Sequence, residues 1–131
     1  MRTHFLSLAA ALLLATLLLA PVPEMPLVED WATFPGIDKL VHVALFFLAS
    51  GAWLRSAVAL GLKRPAAVTV CAATVYAGAL ELAQMAFTAS RSGEWLDLAA
   101  GTLGALAAVG LAGALGRRER RSEKARDFAP S

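Results

Sequence analysis

Charged residues are scarce in this chain of 131 residues, because Asp, Glu, Lys and Arg together supply only 17% of the sequence. Hydrophobic residues supply 58%, whereas soluble domains contain roughly half, and the mean hydropathy is +0.62. The length fits a single domain. The shortage of charge argues against an ordinary soluble fold and predicts a protein embedded in lipid.

Cysteine and the common catalytic motifs are also scarce. The single Cys71 excludes an internal disulfide and a paired-cysteine metal site, and its apolar, alanine-rich surroundings predict a small buried packing residue. The sequence contains no Gly-rich phosphate loop, nucleophile elbow, HExxH or GxGxxG. These absences leave no sequence signature for a cofactor, and we expect none.

Positive charge is concentrated at one end of the chain. The net charge is only +2, but six of the twelve Lys and Arg residues follow Gly116. The basic isoelectric point therefore comes from a local tail, residues 117–131, and does not indicate a nucleic-acid-binding surface. We expect this tail to be solvated and weakly helical at best, with cations that can contact anionic lipid.

Four apolar segments come close to the about 20 residues that a helix needs to cross a bilayer. Lipid offers no partner to an exposed backbone group, so such segments must be helical, and short connections make successive helices antiparallel neighbours. The predicted fold is an all-α membrane protein with four transmembrane helices in an antiparallel bundle within residues 1–116. The expected spans are residues 5–22, 40–62, 66–87 and 95–115.

The distribution of charge predicts the orientation of these spans. Arg2 and the apolar run after it also fit a secretory signal peptide, but the residues before Pro21 make a poor cleavage site, so a retained helix is favoured. Cytoplasmic segments collect Lys and Arg. With the N-terminus inside, nine such residues lie in cytoplasmic segments and only Lys39 and Arg91 lie outside. Both termini are therefore expected in the cytoplasm.

The last span carries small residues at four-residue spacing. Within GTLGALAAVGLAGALG, Gly101 and Ala105 form one such pair, and Gly104 and Ala108 form another. Small residues in this pattern let two membrane helices approach closely. We expect this side of the fourth span to pack against another helix.

Polar residues recur near the outer ends of three spans. Two of them, four residues apart, share one face at the start of the second span, and two more share a face at the end of the third. An arginine follows in the outer turn, and an aspartate opens the fourth span. Residues from three separate segments thus meet in one leaflet, which predicts a binding pocket. Its expected members are Asp38, His42, Glu81, Gln84, Arg91 and Asp97.

Several of these residues also have a structural explanation. Asp38 and Asp97 can stabilise helix N-termini, and His42 can be an interhelical hydrogen-bond donor. Glu81 is harder to explain in this way, since an acid at the centre of a span costs about 2.5–3.5 kcal/mol on insertion scales and is functional by default. Its structural role would be to hold the helices together through a contact with Arg91 or His42.

These motifs, in this order, resemble the VanZ-like family, small bacterial membrane proteins named for a teicoplanin-resistance protein. The matching segments are DKLVH, ELAQ, the arginine of SRSGEWLD, and DLAAGTLG, and together they cover about residues 36–115. The resemblance implies a multi-pass protein of the inner (cytoplasmic) membrane with a role in the cell envelope and in glycopeptide tolerance. One departure is Gly101, where the family commonly has Asn. Either a water replaces that amide, or this chain binds something different.

The favoured function is a binding module without enzymatic activity. Its outward-facing pocket would hold the head group of a polar lipid, a lipid-linked precursor or an amphiphilic antibiotic, with Arg91 on anionic groups and the acids on hydroxyls or amines. The alternative is a membrane-embedded enzyme of envelope lipids, in which His42 acts as a base or binds a divalent metal with Asp38 and Glu81. A third alternative is a polar network that only fixes helix register.

Overall fold

The structure, a computed structural model, describes residues 2–19, 36–87 and 95–127, and within these ranges the chain is all-helical. Its helices are α1 (Arg2–Leu19), α2 (Ile37–Ala59), α3 (Pro65–Phe87) and α4 (Trp95–Asp127). Three of them, α2, α3 and α4, are long and apolar enough to cross a membrane, while the apolar stretch of α1 is the shorter Leu6–Leu17. The predicted all-helical fold is therefore confirmed, and three of its helices have the length and apolar composition of membrane spans.

The turn between α2 and α3 is built from local hydrogen bonds around a glycine. Gly61 adopts a left-handed backbone with φ of +67°, and its N–H donates to the Val58 carbonyl at 2.9 Å while the Leu62 N–H donates to Ala57 at 3.1 Å. This pair of bonds is the Schellman arrangement that ends helices. Pro65 then opens α3, at a position where a missing N–H costs nothing. The chain reverses within five residues, 60–64.

α4 packs on both α2 and α3, and it approaches α2 through the small residues predicted from its sequence. Gly104, Ala105 and Ala108 are all buried. A Cβ added at Gly104 would overlap the Val43 carbonyl oxygen and lie 2.9 Å from the Phe47 backbone nitrogen. The two backbones are in direct contact at this point, so the predicted packing face is confirmed.

The core between the helices is small, and most large apolar side chains lie on the outside. Phe46 is fully buried, at 0% exposure, and it is surrounded mainly by alanines such as Ala49, Ala77 and Ala105. By contrast, every helix carries exposed leucines, and α2 and α3 also carry exposed valines. A continuous apolar exterior of this kind marks a surface that contacts lipid or another apolar partner.

α1 is attached to α2 and α3 by polar contacts that the sequence did not indicate. The Ser7 and Ser56 hydroxyls are 2.6 Å apart, and the Trp53 indole N–H donates to the Ser7 carbonyl at 3.0 Å. The Tyr76 hydroxyl donates to the Ala11 carbonyl at 2.6 Å, and its ring meets Trp53 edge-on at 5.5 Å between centroids. Polar bonds of this type hold helices together where apolar attraction gives little preference.

The prediction that Cys71 is a buried packing residue is wrong. Its side chain is exposed, on a side of α3 that it shares with the exposed Val68 and Val75. In a helix as rich in apolar residues as α3, composition alone does not show which residues face the bundle.

The expectation of a weakly helical tail is also wrong for residues 117–127, because α4 continues without a break to Asp127. This segment, RRERRSEKARD, consists mostly of strong helix formers, and Glu123 lies three residues from both Arg120 and Arg126. Lys124 and Arg126 in the last turn complement the helix dipole. The end of the hydrophobic run marks where apolar surface stops, not where the helix stops.

Candidate functional site

Three chemically active side chains meet at the end of the bundle where α2 and α4 begin and α3 ends. His42 of α2, Glu81 of α3 and Asp97 of α4 each offer one nitrogen or oxygen atom within 4.8 Å of the others. We call these three residues the His–acid cluster. Asp97 occupies the first turn of α4 and Glu81 the last turns of α3, so the antiparallel arrangement brings distant parts of the sequence to one depth.

His42 is the buried centre of the cluster, with only 5% of its surface exposed. Its Nδ1 lies 2.9 Å from the Asp38 backbone carbonyl one turn earlier. A carbonyl oxygen only accepts, so Nδ1 carries the proton and donates. The other ring nitrogen, Nε2, is left facing the Glu81 carboxylate at 3.8 Å.

Lys39 belongs to this region as a bridge between two acids. Its ammonium lies 2.9 Å from the Asp38 carboxylate and 3.6 Å from the Asp97 carboxylate. Asp38 therefore contributes its main-chain carbonyl to His42, while its side chain is held by Lys39. The metal grouping considered from sequence, with Asp38 beside His42 and Glu81, is replaced in the structure by one with Asp97. The N-cap residue of α2 is Gly36, so no side-chain hydrogen bond caps the start of this helix.

The acids of the cluster are mostly shielded from solvent. The side chains of Glu81 and Asp97 are each 12% exposed. The Asp97 Oδ1 atom is fully buried and has no hydrogen-bond partner among the described residues, its neighbour being the Lys39 ammonium at 3.6 Å. Three carboxylates and one ammonium, with His42 neutral, give the region a formal charge of −2 over its described members Asp38, Lys39, His42, Glu81 and Asp97. The site is therefore rich in acceptors and suits hydroxyl, ammonium or metal ligands.

Gln84 and Arg91 were also predicted to belong to the site. Gln84 is buried on α3, one turn beyond Glu81. Arg91 lies outside the described residues, so its predicted contact with anionic groups stays a prediction.

A groove of about 600 Å³ adjoins the cluster along the seam between α3 and α4. Among the described residues, Glu81 is the only charged one that lines it, and the other described lining residues are apolar. Leu82, Met85 and Trp95 are exposed, so the groove opens on the outer surface of the bundle. Its lining residues are Val75, Gly78, Ala79, Glu81, Leu82, Met85, Trp95 and Leu98.

The structure gives a packing reason for glycine at position 101. A Cβ built on Gly101 would lie 3.1 Å from the Phe46 ring and 3.2 Å from the Ala77 Cβ. The space that a larger side chain would need, one turn below Asp97, is filled by a core phenylalanine. The departure from the family pattern is thus matched by the packing around it.

Comparisons with protein-family models, with curated proteins and with solved structures found no match for this chain. The resemblance to the VanZ-like family therefore depends on the residues of the sequence itself. Sequence reasoning anticipated the depth of the polar residues, but it missed Lys39 as a bridge and the groove beside Glu81. The sequence did contain a sign that Lys39 belongs to the site. It lies next to Asp38 at the start of a span whose other polar residues, Asp38 and His42, were already candidates.

Proposed function

We propose that this chain is a VanZ-like integral membrane protein of the bacterial envelope that binds an amphiphile. The head group would bind at the His–acid cluster, and the apolar chain would lie in the groove between α3 and α4. A polar lipid, a lipid-linked precursor or an amphiphilic antibiotic has this form, and capture of the last would give glycopeptide tolerance. The observation that carries the proposal is Glu81, whose carboxylate is part of the cluster and also lines the apolar groove.

The proposal includes four spans with both termini in the cytoplasm, which puts the His–acid cluster in the outer leaflet. Support comes from charge, since the extension of α4 beyond Gly116 carries six Lys and Arg residues and such residues collect on the cytoplasmic side. We expect green fluorescent protein fused after Ser131 to fluoresce, and alkaline phosphatase fused after Phe87 to be active. Inactive phosphatase after Phe87, together with active phosphatase after Ser131, would show that the orientation is the opposite of the one proposed.

Glu81→Gln is expected to weaken amphiphile binding by at least about tenfold. A hydrogen bond to a charged group contributes about 1.5–3 kcal/mol, and 1.4 kcal/mol corresponds to tenfold in affinity. The measurement is the amount of each lipid retained by the purified protein, determined by native mass spectrometry after extraction in mild detergent.

Glu119→Gln is the matched control, because it makes the same chemical change on an exposed position of α4. It should retain the same lipids as the unchanged protein. Membrane insertion and the far-ultraviolet circular dichroism spectrum should be unaltered in both variants. Equal lipid retention in the Glu81 variant and the control would count against the proposal.

A further inference from the structure

We propose that His42, Glu81 and Asp97 form a binding site for one divalent transition-metal ion. The proposal depends on the geometry of the His–acid cluster and stands apart from amphiphile binding. It also replaces the metal grouping that the sequence offered, because the third ligand is Asp97 of α4 and the Asp38 side chain is bound to Lys39.

The spacing of the donor atoms is close to what a metal ion needs. With bonds of about 2.0–2.2 Å, tetrahedral ligand atoms lie about 3.4 Å apart. His42 Nε2 and the Glu81 carboxylate are 3.8 Å apart, and all three donor atoms fall within 4.8 Å. The remaining difference is at most about 1.4 Å, and we expect rotation of the two carboxylates about their side-chain bonds to close it.

The buried imidazole is already oriented as a ligand. Metal-binding histidines almost always donate their second ring N–H to a carbonyl or carboxylate, which fixes the other nitrogen toward the metal. His42 Nδ1 makes this bond, to the Asp38 backbone carbonyl at 2.9 Å. In the neutral ring, Nε2 then presents a lone pair to the Glu81 carboxylate at 3.8 Å. A metal ion bound between these two groups would be coordinated by both of them.

A second observation in the cluster also points to a bound cation. The Asp97 Oδ1 atom is buried and makes no hydrogen bond to any described residue, and the Lys39 ammonium that pairs with it lies 3.6 Å away. A buried carboxylate oxygen is stabilised by close pairing or by metal coordination, and a metal ion would supply a closer contact than Lys39 makes. Asp38, Lys39, Glu81 and Asp97 together have a formal charge of −2, which a divalent ion would bring to zero.

The chemistry of the ligands indicates the class of metal. One imidazole and two carboxylates suit ions such as Zn²⁺, Co²⁺, Fe²⁺ or Mn²⁺, whereas an all-oxygen set would favour Mg²⁺ or Ca²⁺ and thiolates would favour softer ions. Three protein ligands leave at least one position open to water or to an oxygen of a bound molecule. The Lys39 ammonium, 3.6 Å from Asp97, competes with the metal for that carboxylate.

The test uses the full chain in detergent with a purification tag free of histidine. After chelator treatment and its removal, Co²⁺ is titrated with detection by visible absorption, and Zn²⁺ is titrated by calorimetry. We expect one equivalent of metal per chain. His42→Asn and Asp97→Asn should each weaken binding by at least about tenfold, since even indirect partners of metal ligands are worth about 10–100-fold.

Lys39→Gln gives a result that a purely structural role would not produce. It removes the cation that competes for Asp97, so metal affinity should rise several-fold while the fold, followed by circular dichroism, is unchanged. His4→Ala is the control, because it removes the only other histidine, and it should bind as the unchanged chain does.

The proposal is overturned if the unchanged chain shows no saturable binding of Co²⁺ or Zn²⁺. It is also overturned if binding persists in Asp97→Asn and disappears in His4→Ala. Neither result affects amphiphile binding, which is measured by retained lipid, so the two proposals fail separately.

Discussion

Replacing Gly104 with alanine is expected to lower the free energy of unfolding by about 3 kcal/mol or more. Overpacking a core costs about 1–3 kcal/mol, and more where the neighbours cannot move. The added Cβ would overlap the Val43 carbonyl oxygen and approach the Phe47 nitrogen, and both are backbone atoms of α2. The helices must therefore separate, and the His–acid cluster, which joins α2 to α4, must separate with them.

Gly110→Ala is the matched control for this change. It lies on the same helix, and a Cβ added there meets no atom within 4 Å. Alanine is favoured over glycine in a helix by about 1 kcal/mol, so Gly110→Ala should be neutral or stabilising. Thermal unfolding in mild detergent, followed by circular dichroism, gives both values. A Gly104→Ala protein as stable as the unchanged chain would show that α2 and α4 are not in backbone contact.

Gly101→Asn, which introduces the residue that the VanZ-like family commonly has at the matching motif position, is expected to destabilise the protein by about 2–6 kcal/mol. Overpacking contributes about 1–3 kcal/mol, and a buried amide without partners contributes about 1–3 kcal/mol more. The added Cβ would press on the Phe46 ring at 3.1 Å and on Ala77 at 3.2 Å. Unfolding in detergent measures the loss.

A double-mutant cycle with Phe46→Ala identifies the cause of that loss. Phe46→Ala alone should cost about 3–5 kcal/mol, because it removes a fully buried ring. In the double variant the asparagine occupies the space of the missing ring, so the combined loss should fall short of additivity by about 0.5–3 kcal/mol. Additive losses would mean that Phe46 does not determine which residues fit at position 101.

Helix positions in this chain follow closely from the sequence. The third predicted span, residues 66–87, corresponds to α3 at Pro65–Phe87, because a proline and a Gly-containing turn fix its start. The fourth span begins at Trp95 as predicted, but its helix continues to Asp127. Hydropathy detects where apolar residues end, and charged helix formers continue a helix into water without any hydropathy signal.

The rotation of each helix about its axis could not be obtained from the sequence. Cys71 illustrates the reason, since its helix is apolar over most of its length, and the buried polar residues Thr69 and Gln84 are too far apart to define the face that meets the bundle. The depth of the polar residues, in contrast, followed from their distance to the helix ends. It was therefore predictable that His42, Glu81 and Asp97 share a level, but not that Asp38 turns its side chain to Lys39 or that Glu81 lines a groove.

Site-specific photo-crosslinking tests most directly whether an amphiphile occupies the groove beside Glu81. A benzoylphenylalanine at Leu82, which lines the groove, is compared with one at Leu48 of α2, and the two positions are similarly exposed at 65% and 68%. After irradiation in bacterial membranes, the Leu82 probe should capture one amphiphile far above its share of the membrane lipid. Adding Glu81→Gln should remove that enrichment, while the Leu48 probe should capture bulk lipid throughout. The same lipid distribution at both positions, unchanged by Glu81→Gln, would contradict binding at this site.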